Sequence, residues 1–131
     1  MRMSHVTLFV TDVARSRSFY CALGFELIVD ECHYCRFLTR TDEGSGDETL
    51  SIERRPGPLA PAAQLGLEFP SRDALDRYVE GLSARGLSLA EELVERSWLW
   101  RDARILDPDG HEWMLFFAGK NKLDPPWRVA R

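Results

Sequence analysis

Two cysteines spaced for metal or redox chemistry are the first feature of the sequence that could react. They lie in the segment Cys32-His33-Tyr34-Cys35, and such a pair binds zinc when a second cysteine or histidine pair completes four ligands. No such second pair occurs in the sequence, and residues three apart in a strand point to opposite faces. We therefore interpret the segment as two small strand residues beside a turn. A total of 3 cysteines also predicts free thiols instead of a disulfide framework.

Aromatic side chains are the second feature with chemical potential. They concentrate in the predicted strands and the C-terminal tail, where they could stack against a planar ligand. The set contains Phe9, Tyr34, Phe37, Trp98, Trp100, Trp113, Phe116 and Trp127. Trp113 alternates with apolar residues on one side of its strand, which predicts core packing. Phe9 and Phe116 are the better candidates to line a binding cavity.

Composition and charge exclude several classes of protein. The chain has 131 residues, which fits one domain, and its 44% hydrophobic and 29% charged residues are typical of globular proteins. With a net charge of −4 and no basic stripe, it is not expected to bind nucleic acid. No apolar run approaches the roughly 20 residues that cross a bilayer, and no signal peptide precedes the first strand pattern. We expect a cytoplasmic protein without a membrane partner.

The first half of the chain predicts one helix among four strands. Alternating apolar residues predict a strand over 5–10, and Asp12 and Gly24 are the expected caps of a helix from Val13 to Leu23. Further strands are predicted over 25–29, 34–39 and 49–53, with an acidic loop over 41–48. The resulting order is βαβββ.

The same order returns after a proline-rich connector at residues 54–61. A strand near residues 65–69 is followed by a helix that Ser71 can cap, and Gly86 matches Gly24 as a stop. Later strands are predicted over 89–94, 98–106 and 111–117, with the turn Asp107-Pro108-Asp109-Gly110 before the last. The prolines of the tail exclude a helix there and predict an extended arm anchored by Trp127.

This internal repeat and three sequence phrases resemble the glyoxalase/bleomycin-resistance/extradiol-dioxygenase family, also called the vicinal oxygen chelate superfamily. The phrases are His5-Val6-Thr7-Leu8-Phe9-Val10-Thr11-Asp12, then Phe19-Tyr20 with Leu23-Gly24-Phe25, and finally Asp107-Pro108-Asp109-Gly110-His111. The resemblance implies an α+β fold in which two βαβββ modules form a curved mixed sheet around a cavity. It places one domain over 1–118, with modules at about 4–54 and 63–118, a linker at 55–62 and an arm at 119–131. It also implies a homodimer.

The resemblance further implies that each strand has an apolar face against a helix and a mixed inner face. The residues that would meet the helices are Val6, Leu8 and Val10 in the first half and Leu65, Leu67 and Phe69 in the second. The residues left on the inner face are His5, Thr7, Gln64, Gly66 and Glu68. Polar residues there suggest a binding site.

Metal-dependent members of the superfamily place four ligands on inner strand positions, and the resemblance carries these onto His5, Glu53, Gln64 and Met114. The first three suit a divalent transition metal, but a thioether is a poor ligand beside nitrogen and oxygen donors. Glu112 shares the face of Met114 but lies roughly 7 Å along the strand. The implied set is therefore incomplete, although a divalent metal remains an alternative. Each of its polar residues also has an ordinary interpretation as a strand-edge, ion-pair or linker residue.

Two functions are consistent with these features. The first is a metal-free small-molecule-binding protein, which would favour an aromatic or cationic ligand because Glu53 and Glu68 point inward. Its candidate binding residues are Phe9, Gln64, Glu68, Arg101, Met114 and Phe116. The second is a metal-dependent lyase, isomerase or dioxygenase that uses His5, Glu53 and Gln64. We favour the first, and leave open whether the arm covers the cavity or clamps a second subunit.

Overall fold

The structure, a computed structural model, describes residues 1–39, 46–60 and 63–130 and shows the predicted order of elements twice. The first half contains β1 (His5–Val10), α1 (Val13–Leu23), β2 (Glu26–Glu31), β3 (Tyr34–Leu38) and β4 (Thr49–Arg54). The second contains β5 (Leu65–Glu68), α2 (Arg72–Gly81), β6 (Glu91–Glu95), β7 (Arg101–Leu106) and β8 (Glu112–Phe117), with 3-10 turns at Ser83–Arg85 and Gly119–Lys122. The predicted acidic loop and the end of the predicted linker lie partly outside the described residues.

Each half arranges its strands in a four-stranded mixed sheet. The strand orders are β1-β4-β3-β2 and β5-β8-β7-β6. In each sheet the first strand runs parallel to the last, and the other neighbouring pairs are antiparallel. The predicted α+β class with two βαβββ modules is confirmed.

The chain divides into two compact units whose boundary departs from the order of the sequence. The first unit comprises Met1–Ala62 and Asp107–His111, and the second comprises Ala63–Leu106 and Glu112–Arg131. After β7 the chain therefore contributes a turn to the first unit before it returns to the second as β8.

Helix α1 and its sheet form the core of the first unit. Asp12 caps the helix by accepting a hydrogen bond from the backbone N–H of Arg15 (3.0 Å). Gly24 ends the helix at φ 114°, a left-handed conformation that glycine adopts without the Cβ penalty of other residues. The buried side of α1 meets fully buried strand residues, and Tyr20 and Phe37 place their ring centroids 5.8 Å apart there. Both predicted caps are confirmed.

The turn Asp107–His111 is bound tightly within the first unit. The buried Asp107 carboxylate accepts a hydrogen bond from the Tyr20 hydroxyl (2.6 Å), and its other oxygen accepts the backbone N–H of His111 (2.9 Å). Asp109 accepts hydrogen bonds from both the backbone N–H (3.2 Å) and the hydroxyl (2.6 Å) of Thr11. His111 Nε2 donates to the carbonyl of Phe9 (2.9 Å). The predicted turn thus has a structural role that its position in the sequence does not indicate.

The second unit relies more on ion pairs between its helix and its sheet. Ser71 caps α2 as predicted, and Leu75 is the buried residue of that helix. Arg101 of β7 donates to Asp76 of α2 (2.9 Å). Arg72 donates to Glu95 of β6 (2.8 Å), and this hydrogen bond holds the pKa of the Glu95 carboxyl below its usual range.

The segment before β7 is a turn, so the prediction of a strand from residue 98 is wrong. The backbone N–H of Arg96 donates to the carbonyl of Trp100 (2.7 Å), and that of Leu99 donates to the carbonyl of Arg96 (3.0 Å). Leu99 adopts φ 70°, a left-handed conformation that is uncommon outside glycine. The closed turn gives these residues no neighbouring strand to pair with, although their β-forming side chains favour one.

The C-terminal arm departs from the extended conformation that its prolines predicted. Residues Gly119–Lys122 form a 3-10 turn, and the backbone N–H of Asp124 then donates to the carbonyl of Lys120 (2.8 Å). Trp127, the predicted anchor, is 57% exposed in the chain. Among the described residues, no helix has the length and apolar character needed to span a bilayer.

Candidate functional site

Each sheet has a helix-covered face and an opposite face, which we call the first and second polar faces. Strand pairing sets their membership because neighbouring strands place paired residues on the same side. The first polar face carries His5, Thr7 and Phe9 of β1, Thr49, Ser51 and Glu53 of β4, and Tyr34 and Arg36 of β3. The second polar face carries Gly66 and Glu68 of β5, Glu112, Met114 and Phe116 of β8, and Asp102 and Arg104 of β7. The predicted alternation along β1 and β5 is confirmed, whereas Gln64 and Phe69 lie just outside β5.

Side chains of the first polar face bind one another through hydroxyl groups. His5 makes hydrogen bonds through Nδ1 to the Thr49 hydroxyl (2.6 Å) and through Nε2 to the Thr7 hydroxyl (3.1 Å). The hydroxyl of Tyr34 bonds to that of the fully buried Ser51. These contacts satisfy the polar groups locally and fix the His5 ring on the sheet.

Glu53 and Phe9 lie at the opposite end of the first polar face from His5. Strand pairing sets Glu53 beside Phe9, whereas His5 is beside Thr49, four positions away. Four residues of strand correspond to roughly 13 Å. Arg55 lies near both residues, with its guanidinium 3.8 Å from the Phe9 ring centroid and its Nε 3.8 Å from Glu53. The structure therefore does not bring His5 and Glu53 together.

The second polar face has an apolar floor made of Met114, Phe116 and Trp100. The Trp100 and Phe116 rings stack with centroids 4.7 Å apart. Gly66 makes room for them, because a Cβ at that position would lie 2.9 Å from the Phe116 ring and 3.7 Å from the Met114 methyl group. Phe116 is buried, whereas Trp100 and Met114 are half-buried. The floor therefore offers an exposed part of an indole and a thioether to a ligand.

An ion-pair network borders this floor on the side of β6 and β7. Asp102 is fully buried and accepts hydrogen bonds from Arg96, from Nε at 3.1 Å and from a terminal nitrogen at 2.8 Å. Arg104 lies beside Met114 across the strands, 3.3 Å from Glu91 and 3.8 Å from Glu112. The ion pair between Arg96 and Asp102 also fixes the turn that carries Trp100, because Arg96 begins that turn and Asp102 belongs to β7.

Two further polar pairs flank the floor. Gln64 donates to the Glu112 carboxylate at one end (2.6 Å). Glu68 accepts a hydrogen bond from Lys122 of the arm at the other end (2.9 Å), and the Lys122 ammonium is 6.0 Å from the Phe116 ring centroid. Four carboxylates and three cationic side chains thus border the second polar face: Glu68, Glu91, Asp102 and Glu112 with Arg96, Arg104 and Lys122.

The predicted binding residues therefore fall into three groups. Glu68, Met114 and Phe116 lie together on the second polar face with Gln64 beside them, whereas Phe9 lies on the first polar face. Arg101 lies on the helix side of its sheet, where it pairs with Asp76 and Glu95.

The sequence also matches a known protein family. A family model described as the Glyoxalase/Bleomycin resistance protein/Dioxygenase superfamily matches residues 2–115. The chain belongs to this superfamily. No curated protein matches the sequence.

Solved structures share the superfamily fold at low sequence identity. A glyoxalase/bleomycin resistance protein/dioxygenase from Nocardioides is 20% identical over 99% of this chain and 90% of its own, with a TM-score of 0.77. Lactoylglutathione lyase from Agrobacterium tumefaciens is 13% identical over 88% and 92% of the two chains, with a TM-score of 0.70. TioX from Micromonospora sp. ML1 is 18% identical over 90% and 99%, with a TM-score of 0.66. At these identities the similarity establishes the fold alone.

The donor set of this chain does not fit the metal of the metal-dependent superfamily members. Both ring nitrogens of His5 contact hydroxyl groups, and Glu53 lies four strand positions away from it. Met114 offers a thioether where those members have a carboxylate, and neighbouring Glu112 is engaged by Gln64. Within the described ranges, no cluster of three or more histidine, cysteine or acidic side chains is arranged to hold an ion.

The cysteines do not form a paired site. All three are free thiols, as predicted, with Cys21 and Cys32 exposed and Cys35 buried. Burial raises the pKa of the Cys35 thiol, which keeps it protonated and unreactive.

Several polar residues on these faces were not singled out from the sequence. Arg104 and Asp102 alternate with Arg101 and Ala103, so the period of two could have placed them on the polar face. Lys122 carries no such signal, because its contact with Glu68 depends on the 3-10 turn of the arm.

Proposed function

We propose that the protein binds a small planar aromatic molecule with positive charge on the second polar face, without the metal of its enzymatic relatives. The carrying observation is the Trp100 and Met114 surface between Glu68 and Glu112. An exposed indole stacks on planar rings and attracts cations through its π face. The excess of carboxylates at the border favours the same charge.

The Glu68–Lys122 pair supports exchange with a ligand. Both side chains are more than 40% exposed, and ion pairs at such exposure contribute roughly 0–1 kcal/mol. A ligand cation can therefore replace Lys122 at Glu68 at small cost. The buried Asp102 is a poor alternative because Arg96 and the sheet enclose it.

Calorimetric titration with proflavine, a planar aromatic cation, tests this proposal. We expect saturable binding by the wild-type chain and about two- to fivefold weaker binding by Glu68→Gln, which corresponds to roughly 0.4–1 kcal/mol. Glu26→Gln, which changes an exposed glutamate of the first unit, is the matched control. Equal affinity of the two variants would remove Glu68 from the site.

Metal analysis of the full chain, purified without chelator, tests the second part of the proposal. We expect well under one transition-metal ion per chain, because the donor set lacks a carboxylate at Met114. One tightly held ion per chain would instead favour the metal-dependent lyase, isomerase or dioxygenase that the superfamily also contains. Cytoplasmic location and a homodimer remain predictions from the sequence.

A further inference from the structure

An open groove lies between the end of α2 and the start of β6, away from the second polar face. Its volume is about 620 Å³, and its apolar lining consists of Val79, Leu82, Leu87 and Leu89. A Cβ added to Gly86 would meet no atom within 4 Å, so the space above the groove is open. Pockets of this volume hold a drug-sized molecule, and this one therefore has room for a pair of apolar side chains.

Two carboxylates border the groove. Glu80 and Glu92 line it and are exposed. In the part of the chain that the structure describes, neither has an ion-pair partner. The groove therefore combines an aliphatic lining with unneutralised negative charge, which favours an apolar segment flanked by cations.

The C-terminal arm has the complementary composition. Its end, residues 123–131, contains two basic residues and a single acidic one, although the whole chain has a net charge of −4. Its large apolar residues Leu123, Trp127 and Val129 are 75%, 57% and 84% exposed. Trp127 lies in a turn in which the backbone N–H of Arg128 donates to the carbonyl of Pro125 (3.0 Å), and Val129 follows directly after this turn. Arg128 pairs with Asp124 within the arm (3.6 Å), and a carboxylate at the border of the groove can replace this largely exposed partner at small cost.

The base of the arm is fixed on the side of the sheet opposite α2. Lys122 binds Glu68 on the second polar face, and the carbonyl of Asn121 accepts a hydrogen bond from the Trp100 indole (3.4 Å). The groove is lined by Val79 and Glu80 of α2, which lies on the other side of the same sheet, and by the segment that follows this helix. An arm that starts on this side has to pass around the sheet to reach the groove of its own chain, whereas the groove of a second chain imposes no such detour.

We propose that the end of the arm, residues 123–131, docks in the α2–β6 groove of a second copy of this chain, with Trp127 and Val129 against its aliphatic lining and Arg128 beside Glu80 and Glu92. Two chains exchange arms reciprocally, which gives a closed dimer with two equivalent contacts.

Disulfide trapping between two differently substituted chains tests this exchange. Both carry Cys21→Ser and Cys32→Ser, which remove the exposed thiols; one also carries Ser83→Cys in the groove, and the other Val129→Cys in the arm. With oxidised glutathione, the mixed sample should form a covalent dimer, and each chain alone should form much less. Absence of a covalent dimer in the mixture would overturn the proposal. So would an internal disulfide without dimer in a chain that carries both substitutions.

Charge reversal distinguishes specific docking from random collision. Glu80→Arg with Glu92→Arg in the groove chain should lower the trapping yield about fivefold or more, because the arm then meets like charge. Arg128→Glu with Arg131→Glu in the arm chain should restore most of the yield. Glu26→Arg with Glu48→Arg is the control for total charge and should leave the yield unchanged. Yields that do not respond to the groove reversal, or that are not restored by the arm reversal, would contradict the proposed contact.

Discussion

The two halves of the molecule share one order of elements but stabilise it differently. In the first unit, Tyr20, Phe25 and Phe37 form an aromatic cluster with centroids at most 6.4 Å apart under α1. In the second, α2 buries Leu75 and is joined to the sheet by arginine–carboxylate pairs. Burial of an apolar side chain contributes about 1.5–3 kcal/mol, whereas an exposed ion pair contributes about 0–1 kcal/mol. The two halves therefore keep the same order of helices and strands although different interactions stabilise them.

The polar faces differ in the same way. His5 and Ser51 on the first polar face are engaged by neighbouring hydroxyl groups. The second polar face exposes Trp100 and Met114 beside charged groups that a ligand can engage. The polar side chains of the first face therefore hydrogen-bond to one another, whereas the second face offers apolar and charged side chains that a ligand can contact.

The largest effect is expected from separating the first unit from its turn. A fragment of residues 1–62 lacks Asp107–His111, so Tyr20 loses its buried carboxylate partner and Thr11 loses Asp109. It also exposes a sheet face that needs cover. We expect no cooperative thermal transition by circular dichroism. A sharp transition, with compact monomeric behaviour on a sizing column, would show that the turn is dispensable.

Removal of a buried ring should distinguish the two cores. Phe37→Ala in the first unit should lower the free energy of unfolding by about 3–5 kcal/mol, because this residue is fully buried among other rings. Phe69→Ala in the second unit should cost less, since Phe69 is half-buried and contacts Tyr78 at 5.0 Å between centroids. Urea unfolding of the full chain measures both. Equal losses would contradict the contrast between the cores.

Much of the fold could be predicted from the sequence because the spacing of apolar residues and the helix-capping residues indicate the same elements. Asp12, Gly24 and Ser71 mark helix ends through local chemistry that needs no distant partner. The turn around Leu99 was missed because tryptophan and leucine favour strands, and its closure depends on the pairing of Arg96 with Asp102. Local preference cannot reveal such a contact.

The candidate site was less predictable than the fold. Alternation along β5 and β8 correctly grouped Glu68, Met114 and Phe116. It could not supply the register between β1 and β4, which separates His5 from Glu53. Alternation along β7 assigns Arg101 to the helix side with Ala103, away from the other predicted binding residues of this sheet.

The ion pairs of the second unit should make a smaller contribution to the stability of the fold, and this contribution should depend on pH. The pKa of the Glu95 carboxyl is lowered by Arg72, so the pair stabilises the fold above the unfolded-state pKa and loses this contribution as pH falls through the folded value. Both side chains are about half-exposed, so solvent screening keeps this contribution to stability small.

Arg72→Met should therefore remove more stability at pH 7 than at pH 3, because the Glu95 carboxyl loses its charge as the pH falls through its lowered pKa. Urea unfolding at both pH values measures the difference. Arg77→Met, on the exposed side of the same helix, is the control. An Arg72→Met loss that is unchanged at low pH would indicate lost packing over the Phe117 ring, which Arg72 also covers at 5.1 Å.

The smallest expected effect is a change in ligand affinity on substitution of Lys122, which donates a hydrogen bond to Glu68 on the second polar face. If a ligand cation competes with this lysine, Lys122→Met should strengthen proflavine binding about two- to threefold, because the ligand no longer displaces an exposed ion pair. Lys120→Met removes a charge from the same 3-10 turn without touching Glu68 and should have less effect at physiological salt, where exposed charges are screened over about 8 Å. In a Glu68→Gln background the gain from Lys122→Met should disappear, because both substitutions act on one pair. A gain that persists in that background would mean that Lys122 acts through the Phe116 ring or through total charge, and that Glu68 does not bind the ligand cation.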